Sequence, residues 1–204
     1  LLPAFGASRA EEAENGELTS ACTVTLPERS VSFEHRLTDE RYNSRISFEP
    51  EETLLVKVAK GAKGLYVAWY TPPKAALIEM LGASGETLAS LSASTDLLNE
   101  YFALPDDCNS VRIFGETEFA ISELRVFDTD TPPDELCVMQ AQSSQPKVML
   151  IAAYTSDESM VFGSLLPYLS GDDAALVFLS SENRQAQQAA IQARYAMGAR
   201  TQPI

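Results

Sequence analysis

The chain has 204 residues, of which 45% are hydrophobic and 22% are charged, and 29 acidic against 15 basic side chains give a formal net charge of −14. This composition is typical of a folded protein with one large core or two modest ones. The negative charge repels phosphate backbones and anionic lipid headgroups, so it argues against nucleic-acid binding and membrane-surface binding. No apolar run reaches the about 18 residues that a membrane-spanning helix needs.

The N-terminal stretch "LLPAFGASRAEEAENGE" begins apolar and then turns acidic. Ser8 and Ala10 are small residues with the spacing of a signal-peptide cleavage site. We expect residues 1–16 to be either the remnant of a signal peptide or a disordered arm. The first interpretation predicts an exported protein, secreted or held at the cell surface.

The three cysteines, Cys22, Cys108 and Cys137, lack the C-x-x-C spacing of zinc knuckles and thioredoxin-like sites. Two interpretations stay open. Either Cys22 pairs with one of the other two and leaves one thiol over, or all three are free and buried.

Residues 17–140 consist of short strand patterns separated by turn signals about every dozen residues. The strand patterns are "LTSACTVTL", "SVSFEH", "ETLLVKVA", "GLYVAWY", "AALIEMLGASGETLASLSA", "EYFAL", "SVRIFG" and "FAISELRVFD". Several of them alternate apolar and polar residues, as half-buried strands do, and none has a helical period. This half of the chain is predicted to form an antiparallel, jelly-roll-like β-sandwich, in which "AALIEMLGASGETLASLSA" is a hairpin that turns at residues 83–85.

The aromatic residues of "GLYVAWY" divide between two faces of one predicted strand. Trp69 shares its face with Leu65 and Val67 and is predicted to lie in the sandwich core. Tyr66 and Tyr70 share the other face, where they serve either as a sugar-stacking surface or as part of the packing.

The pattern changes after the Pro- and Asp-rich stretch at 128–136 and the polar stretch at 140–145, which together indicate a domain boundary. "KVMLIAAY" (147–154) is continuously apolar, which is typical of a parallel strand covered on both faces. A helix from about 157, the strand "ALVFLSS" and the helix "ENRQAQQAAIQARYAMGA" follow. We predict a partial Rossmann-like α/β unit of the βαβα type over residues 146–204, so that the fold class is mixed.

Two strands are fewer than such sheets normally have, and they leave apolar surface or a bare edge exposed. Three interpretations remain open for this unit. The chain is truncated, the unit packs on the sandwich, or an open sheet edge pairs with a second copy in a homodimer.

The residues "KVMLIAAYTSDESMVFGSLLPYL…ALVFLSS…NRQAQQAAIQARYAMGAR" resemble the start of the PIG-L-type, or LmbE-like, zinc-dependent N-deacetylases. In that family the first strand ends in A-H-P-D-D-E or a close variant, which supplies zinc ligands and a general base. The corresponding residues of this chain are Tyr154, Ser156, Asp157 and Glu158, with Arg184 on the second helix. The resemblance implies that the ligand histidine and the base aspartate are replaced by Tyr154 and Ser156.

A phenol titrates near about 10, and a serine cannot act as a general base unaided. Asp157 is then the one retained ligand position, and we expect a vestigial, non-catalytic site without zinc. In the simplest interpretation Ser156 or Asp157 caps the helix.

The segments "LTDERYNSRISF", "GLYVAWYTPP", "VRIFG" and "ISELRVF" resemble discoidin-like, galactose-binding-type sandwiches. The resemblance implies a glycan site or a structural calcium site in the loop that runs from His35 to Arg45. Asp39, Asn43 and Arg45 are the candidates for polar sugar contacts, beside Tyr66 and Tyr70. The alternative is a solvated charged loop, with His35 as a surface residue.

These observations lead to three hypotheses. The first is an exported, non-catalytic protein without a cofactor that binds a glycan or cell-surface polysaccharide, or acts as a scaffold. The second is a fragment of a zinc-dependent N-deacetylase that acts on N-acetylated sugars. The third is a structural dimerisation module.

Overall fold

A computed structural model of the chain describes residues 16–29, 34–142, 146–154, 174–180 and 183–203. The predicted signal-peptide remnant, except for residue 16, and the predicted helix from about 157 lie outside these residues.

The first part of the chain folds into strands that form two antiparallel sheets. The strands are β1 Thr23–Thr25, β2 Ile46–Phe48, β3 Thr53–Lys57, β4 Gly64–Trp69, β5 Ala76–Leu81, β6 Thr87–Ser92, β7 Asn99–Ala103, β8 Ser110–Gly115 and β9 Phe119–Phe127. One sheet has the order β1-β3-β8-β5-β6 and the other β2-β9-β4-β7. Every neighbouring pair in these two sheets is antiparallel.

The inner faces of the two sheets join in one hydrophobic core. Ile78 and Ile113 come from the five-stranded sheet, and Leu65, Val67 and Trp69 come from the four-stranded sheet. All five side chains are fully buried. The predicted antiparallel β-sandwich is therefore confirmed, as is the core position of Trp69.

The hairpin of β5 and β6 turns where the sequence predicts. Gly85 has a φ of +86°, a left-handed conformation that glycine adopts without steric cost. The turn is closed by a bond from Gly82 N to Glu86 O (2.9 Å).

The outer face of the four-stranded sheet is also excluded from solvent. Tyr66 and Ala68 of β4 pack there with Phe127 and Leu136 in a second cluster. Glu123 of β9 is buried on the same sheet. A short 3-10 helix, Asp134–Leu136, contributes to this cover, so residues after β9 form a layer over the sandwich.

The C-terminal part has two strands, β10 Val148–Ala152 and β11 Ala174–Phe178, and one helix, α1 Arg184–Ala196. β10 and β11 pair in parallel, as predicted. The prediction that β10 is covered on both faces is wrong, because Met149 and Ile151 are 59% and 54% exposed. The described residues contain a single α-helix, so they do not support the predicted Rossmann-like unit.

The second interpretation of the cysteines holds in part, since only Cys137 is buried, whereas Cys22 and Cys108 are partly exposed. Cys22, Cys108 and Cys137 are all free thiols. The Cys22 Sγ accepts a hydrogen bond from Ala59 N (3.3 Å), and burial raises the pKa of the Cys22 thiol above its usual value. Within the described ranges, no helix is both long and apolar enough to span a bilayer.

Candidate functional site

A cavity of about 630 Å³ lies where loops of the sandwich meet the C-terminal strands and helix. The sandwich side is lined by Tyr70, Thr71, Pro72, Thr95, Asp96 and Leu98. The opposite side is lined by Gln142, Pro146, Met149, Ala175, Val177, Phe178, Gln187, Ile191, Gln202 and Pro203. An apolar lining with a few polar groups is the usual composition of a ligand pocket.

Tyr70 is the aromatic residue on the sandwich side of this cavity. It follows the end of β4, and its N–H donates to Ala120 O (2.8 Å). The guanidinium of Arg45 lies 4.0 Å from the centroid of the Tyr70 ring, well within the range of a cation–π contact. The ring is therefore fixed both by its backbone and by the stacked arginine.

The loop that carries Arg45 is held by its own side chains. Asp39 accepts hydrogen bonds from Arg41 N (2.9 Å) and Ser44 Oγ (2.8 Å). Glu40 has a φ of +57°, and its N–H donates to the carboxyl of Glu123 (3.0 Å). Each carboxylate oxygen of Asp39 thus already accepts one hydrogen bond within the loop.

The same loop also binds the first turn of α1. Asn43 Oδ1 accepts from Gln185 N (2.9 Å), and Tyr42 N donates to Gln185 Oε1 (3.1 Å). Asn183 caps the helix through its side chain, which accepts from Ala186 N (2.9 Å). Two asparagines therefore satisfy N–H groups that a helix start leaves unpaired.

Arg184, the first residue of α1, attaches the helix to the sandwich. It is 2% exposed. Its Nε donates to Trp69 O (2.9 Å), its Nη2 to Asn99 Oδ1 (2.5 Å) and its Nη1 to Gln188 Oε1 (3.1 Å). Burial lowers the pKa of the Arg184 guanidinium. These bonds place Gln187, one turn along, against the cavity.

The C-terminal residues close the cavity on another side. Gln202 Oε1 accepts from Leu98 N (2.8 Å), and Gln202 Nε2 donates to Asp96 O (2.9 Å). Gln140 N donates to Arg200 O (2.7 Å), and Gln202 N donates to Gln140 O (2.9 Å). The loop after β6 is thereby joined to the end of the described chain.

Two buried carboxyl groups, those of Glu100 and Glu123, are not part of the cavity lining. Glu100 accepts from Trp69 Nε1 (2.7 Å) and Ser94 N (2.9 Å), and burial raises the pKa of its carboxyl. Burial also raises the pKa of Glu123 to about 8, although the nearby Arg125 acts in the opposite direction. Both groups support the loops that surround the cavity.

The structure brings two of the five predicted sugar-contacting residues together, since Arg45 stacks on Tyr70. Asn43 binds the start of α1, and Asp39 stabilises its own loop. Tyr66 is fully buried, with its hydroxyl 3.4 Å from that of Tyr42. Its ring is not accessible to a sugar, because the loop and the C-terminal part cover that face of the sheet.

Of the five residues predicted from the deacetylase resemblance, the structure describes only Tyr154 and Arg184. Tyr154 lies exposed after β10, and Arg184 is buried against the sandwich. Residues Ser156, Asp157 and Glu158 lie outside the described residues. In the part of the chain that the structure describes, no three His, Cys, Asp or Glu side chains are placed to hold a metal ion. The structural calcium stays a prediction.

Sequence reasoning missed the anchoring role of Arg184 and the cavity that depends on it. The helix start has a recognisable signal, an asparagine directly before an alanine- and glutamine-rich helix. No local pattern indicates that the following arginine is buried, because its partners Trp69 and Asn99 are distant in sequence.

No protein-family model matches the sequence, and no curated protein matches it. Several solved structures are similar to part of the chain. A fucose-binding module from Streptococcus pneumoniae is 12% identical with a TM-score of 0.44, over 58% of this chain and 100% of that one. The lectin domain of Lectinolysin, complexed with Lewis B antigen, is 11% identical with a TM-score of 0.40, over 58% and 99%. The family 32 CBM from C. perfringens NanJ, in complex with galactose, is 14% identical with a TM-score of 0.41, over 55% and 98%.

Proposed function

We propose that this chain is a carbohydrate-binding protein that holds a saccharide in the cavity beside Tyr70. The observation that carries the proposal is the half-buried Tyr70 ring, which lines the cavity with the Arg45 guanidinium 4.0 Å from its centroid. An aromatic ring that is already fixed loses little conformational entropy when a sugar stacks its C–H face on it. The size supports the same interpretation, since about 630 Å³ falls within the range of small-molecule sites.

The polar groups of the lining suit a neutral or amino sugar. Thr71 and Thr95 offer hydroxyl groups, and Gln187 offers an amide. All three can both donate and accept hydrogen bonds, as sugar hydroxyls do. Asp96 is the one charged side chain among the described lining residues. A carboxylate, in a chain of net charge −14, disfavours uronic and sialic acids.

In this proposal the protein binds without catalysis, outside the cell or at its surface. The export prediction rests on residues 1–16. The degenerate deacetylase unit predicted for residues 146–204 stays a prediction, and the proposed binding site does not depend on it.

The test is a screen of neutral, amino and acidic oligosaccharides on an array, followed by calorimetry on the best ligand. We expect Tyr70→Ala to weaken binding by at least about tenfold, or about 1.4 kcal/mol. Arg45→Ala should weaken it less, because it removes the support of the ring and not the ring. Binding of neutral or amino sugars should exceed that of acidic ones.

Arg112 and Phe114 provide the matched control. Arg112 stacks on the Phe114 ring at 5.3 Å, and both lie on β8, away from the cavity lining. Arg112→Ala and Phe114→Ala therefore remove the same kinds of group with the same change of charge, and both should bind sugar as the unmodified chain does. The proposal fails if no sugar binds, or if Phe114→Ala weakens binding as much as Tyr70→Ala.

A further inference from the structure

The edges of the two sheets differ in how well they are protected. The edge strands are β1, β6, β2 and β7. β1 and β2 have three residues each. β7 begins at Asn99, which is buried by its contact with Arg184, and the preceding Leu98 N–H is bonded to Gln202. β6, Thr87–Ser92, is six residues long, and all but one of its residues are exposed.

The chemistry of β6 is unusual for an exposed edge of this protein. Residues 87–95, "TLASLSAST", contain no charged residue and no proline, although 22% of the chain is charged. Soluble proteins usually protect a long edge strand with charges, proline or bulges. β6 has one register irregularity, opposite Met80 and Leu81, and pairs regularly beyond it. Leu88 and Leu91 are 37% and 43% exposed.

The backbone register shows which groups of β6 point away from the sheet. Ala93 N donates to Ala76 O (2.9 Å), and these two residues continue the β5–β6 register by one pair beyond Leu77 and Ser92. Hydrogen-bonded pairs alternate along an antiparallel ladder. Leu91 therefore directs its backbone groups towards β5, whereas Ser90 and Ser92 direct theirs towards the open edge.

We propose that two copies of the chain associate through β6, paired antiparallel about a twofold axis at Leu91. Ser90 of each copy then lies opposite the partner copy's Ser92, and the outward N–H and C=O groups of both serines are satisfied. The two Leu91 side chains meet at the axis as a non-hydrogen-bonded pair, in which Cα atoms are about 4.5 Å apart. The five-stranded sheets of the two copies become one continuous sheet.

The charges near the edge determine how this association depends on salt. On the neighbouring strands Glu79 and Arg112 form an ion pair, which neutralises the surface beside β6. Glu86 and Asp96 flank the uncharged stretch, and in this register each faces the other across the ends of the strands. Salt screens both this repulsion and that between two copies of net charge −14. The dimer should therefore strengthen as salt is added.

Light scattering over a range of protein concentrations, at low and high salt, tests the association. We expect the mass to rise towards twice 22.2 kDa, at lower protein concentration when salt is high. Leu91→Lys places two ammonium groups opposite each other and should weaken the dimer by at least about tenfold, since like charges directly opposite are destabilising. Leu88→Lys makes the same change away from the axis and should leave the dimer unchanged.

Cysteine cross-linking tests the register. Leu91→Cys should form a covalent dimer in oxidised glutathione, because the two thiols meet at the axis. Leu88→Cys and the unmodified chain, with its three free thiols, should not. The proposal is overturned by a monomer at every concentration and salt level, by a dimer that Leu91→Lys does not weaken, or by equal cross-linking of the two cysteine variants. Tyr70→Ala should dimerise normally, so failure of the saccharide proposal would leave this one intact.

Discussion

The two faces of the four-stranded sheet are both buried, but by different interactions. On the inner face Leu65, Val67 and Trp69 pack into an apolar core shared with the other sheet. On the outer face Tyr66 lies in a layer that also holds Arg184, which hydrogen-bonds to side chains and backbone carbonyls of the sandwich. Apolar burial is non-directional, whereas a buried polar layer is stable only with its partners in place.

The sandwich and the cavity therefore depend on different faces of the four-stranded sheet. The inner face stabilises the sandwich by burying apolar side chains. The outer layer determines where α1 lies, and with it Gln187 and Ile191 of the cavity lining. Hydrogen-bond partners in this layer are shared, since Gln188 Oε1 accepts from both Asn99 and Arg184. Gln188 Nε2 has no hydrogen-bond partner among the described residues.

The largest effect is expected from the inner face. Trp69→Ala should lower the free energy of unfolding by about 3–5 kcal/mol, the usual cost of removing a buried aromatic side chain. Phe119, which packs edge-to-face against Trp69, would line the resulting cavity. Urea unfolding followed by circular dichroism measures the change, and the whole sandwich should unfold in one transition.

Trp69→Phe is the matched control. It keeps most of the ring volume but removes the donor to Glu100, so we expect a loss of about 1–3 kcal/mol. If Trp69→Ala costs no more than Trp69→Phe, packing on the inner face is not what stabilises the sandwich.

A smaller and more local effect is expected from the outer layer. Arg184→Met keeps an unbranched side chain but leaves Asn99 Oδ1 and Trp69 O without their donor, at about 1–3 kcal/mol for such a buried group. Hydrogen exchange should accelerate in α1, Arg184–Ala196, and remain slow in β4 and β9. Saccharide binding should weaken as the cavity wall is released.

Arg112→Met is the control, because it removes an arginine whose side chain is 44% exposed and paired with Glu79. An exposed ion pair contributes about 0–1 kcal/mol, and exchange in α1 should not change. Equal effects of the two substitutions on α1 would show that Arg184 does not anchor the helix.

The two faces of the sheet also differ in how much of their structure the sequence predicts. Alternation predicts that Trp69 and Tyr66 lie on opposite faces of one strand, and the structure agrees. It cannot predict that the Tyr66 face is covered, because the covering residue Leu136 lies 70 positions later in the chain. The sandwich was therefore predictable from local pattern, and the cavity beside Tyr70 was not. The continuous apolar run likewise predicts the position of β10, but it does not predict that Met149 and Ile151 are exposed.

The third prediction concerns pH and the loop that carries Arg45. Glu123 has an ordinary pKa of 4.5 in the unfolded chain, and burial raises its pKa to about 8 in the folded protein. Between these pH values the folded state holds a proton that the unfolded state has released. Stability should therefore fall as pH rises from about 4.5 to about 8, by at most about 1.4 kcal/mol per pH unit, and level off above that.

Urea unfolding at intervals between pH 5 and pH 9 measures this slope. Asp39, Glu40 and Arg125 all act on the Glu123 carboxyl, and Glu123→Gln leaves these three charges in place while removing the titrating proton. The variant should keep an acceptor for Glu40 N and lose most of the slope. Glu100, whose pKa burial also raises, accounts for what remains, so Glu100→Gln in the same background should remove it. A slope unchanged by Glu123→Gln would mean that the proton is not held at this carboxyl, and that the loop beside Tyr70 is supported equally well at every pH.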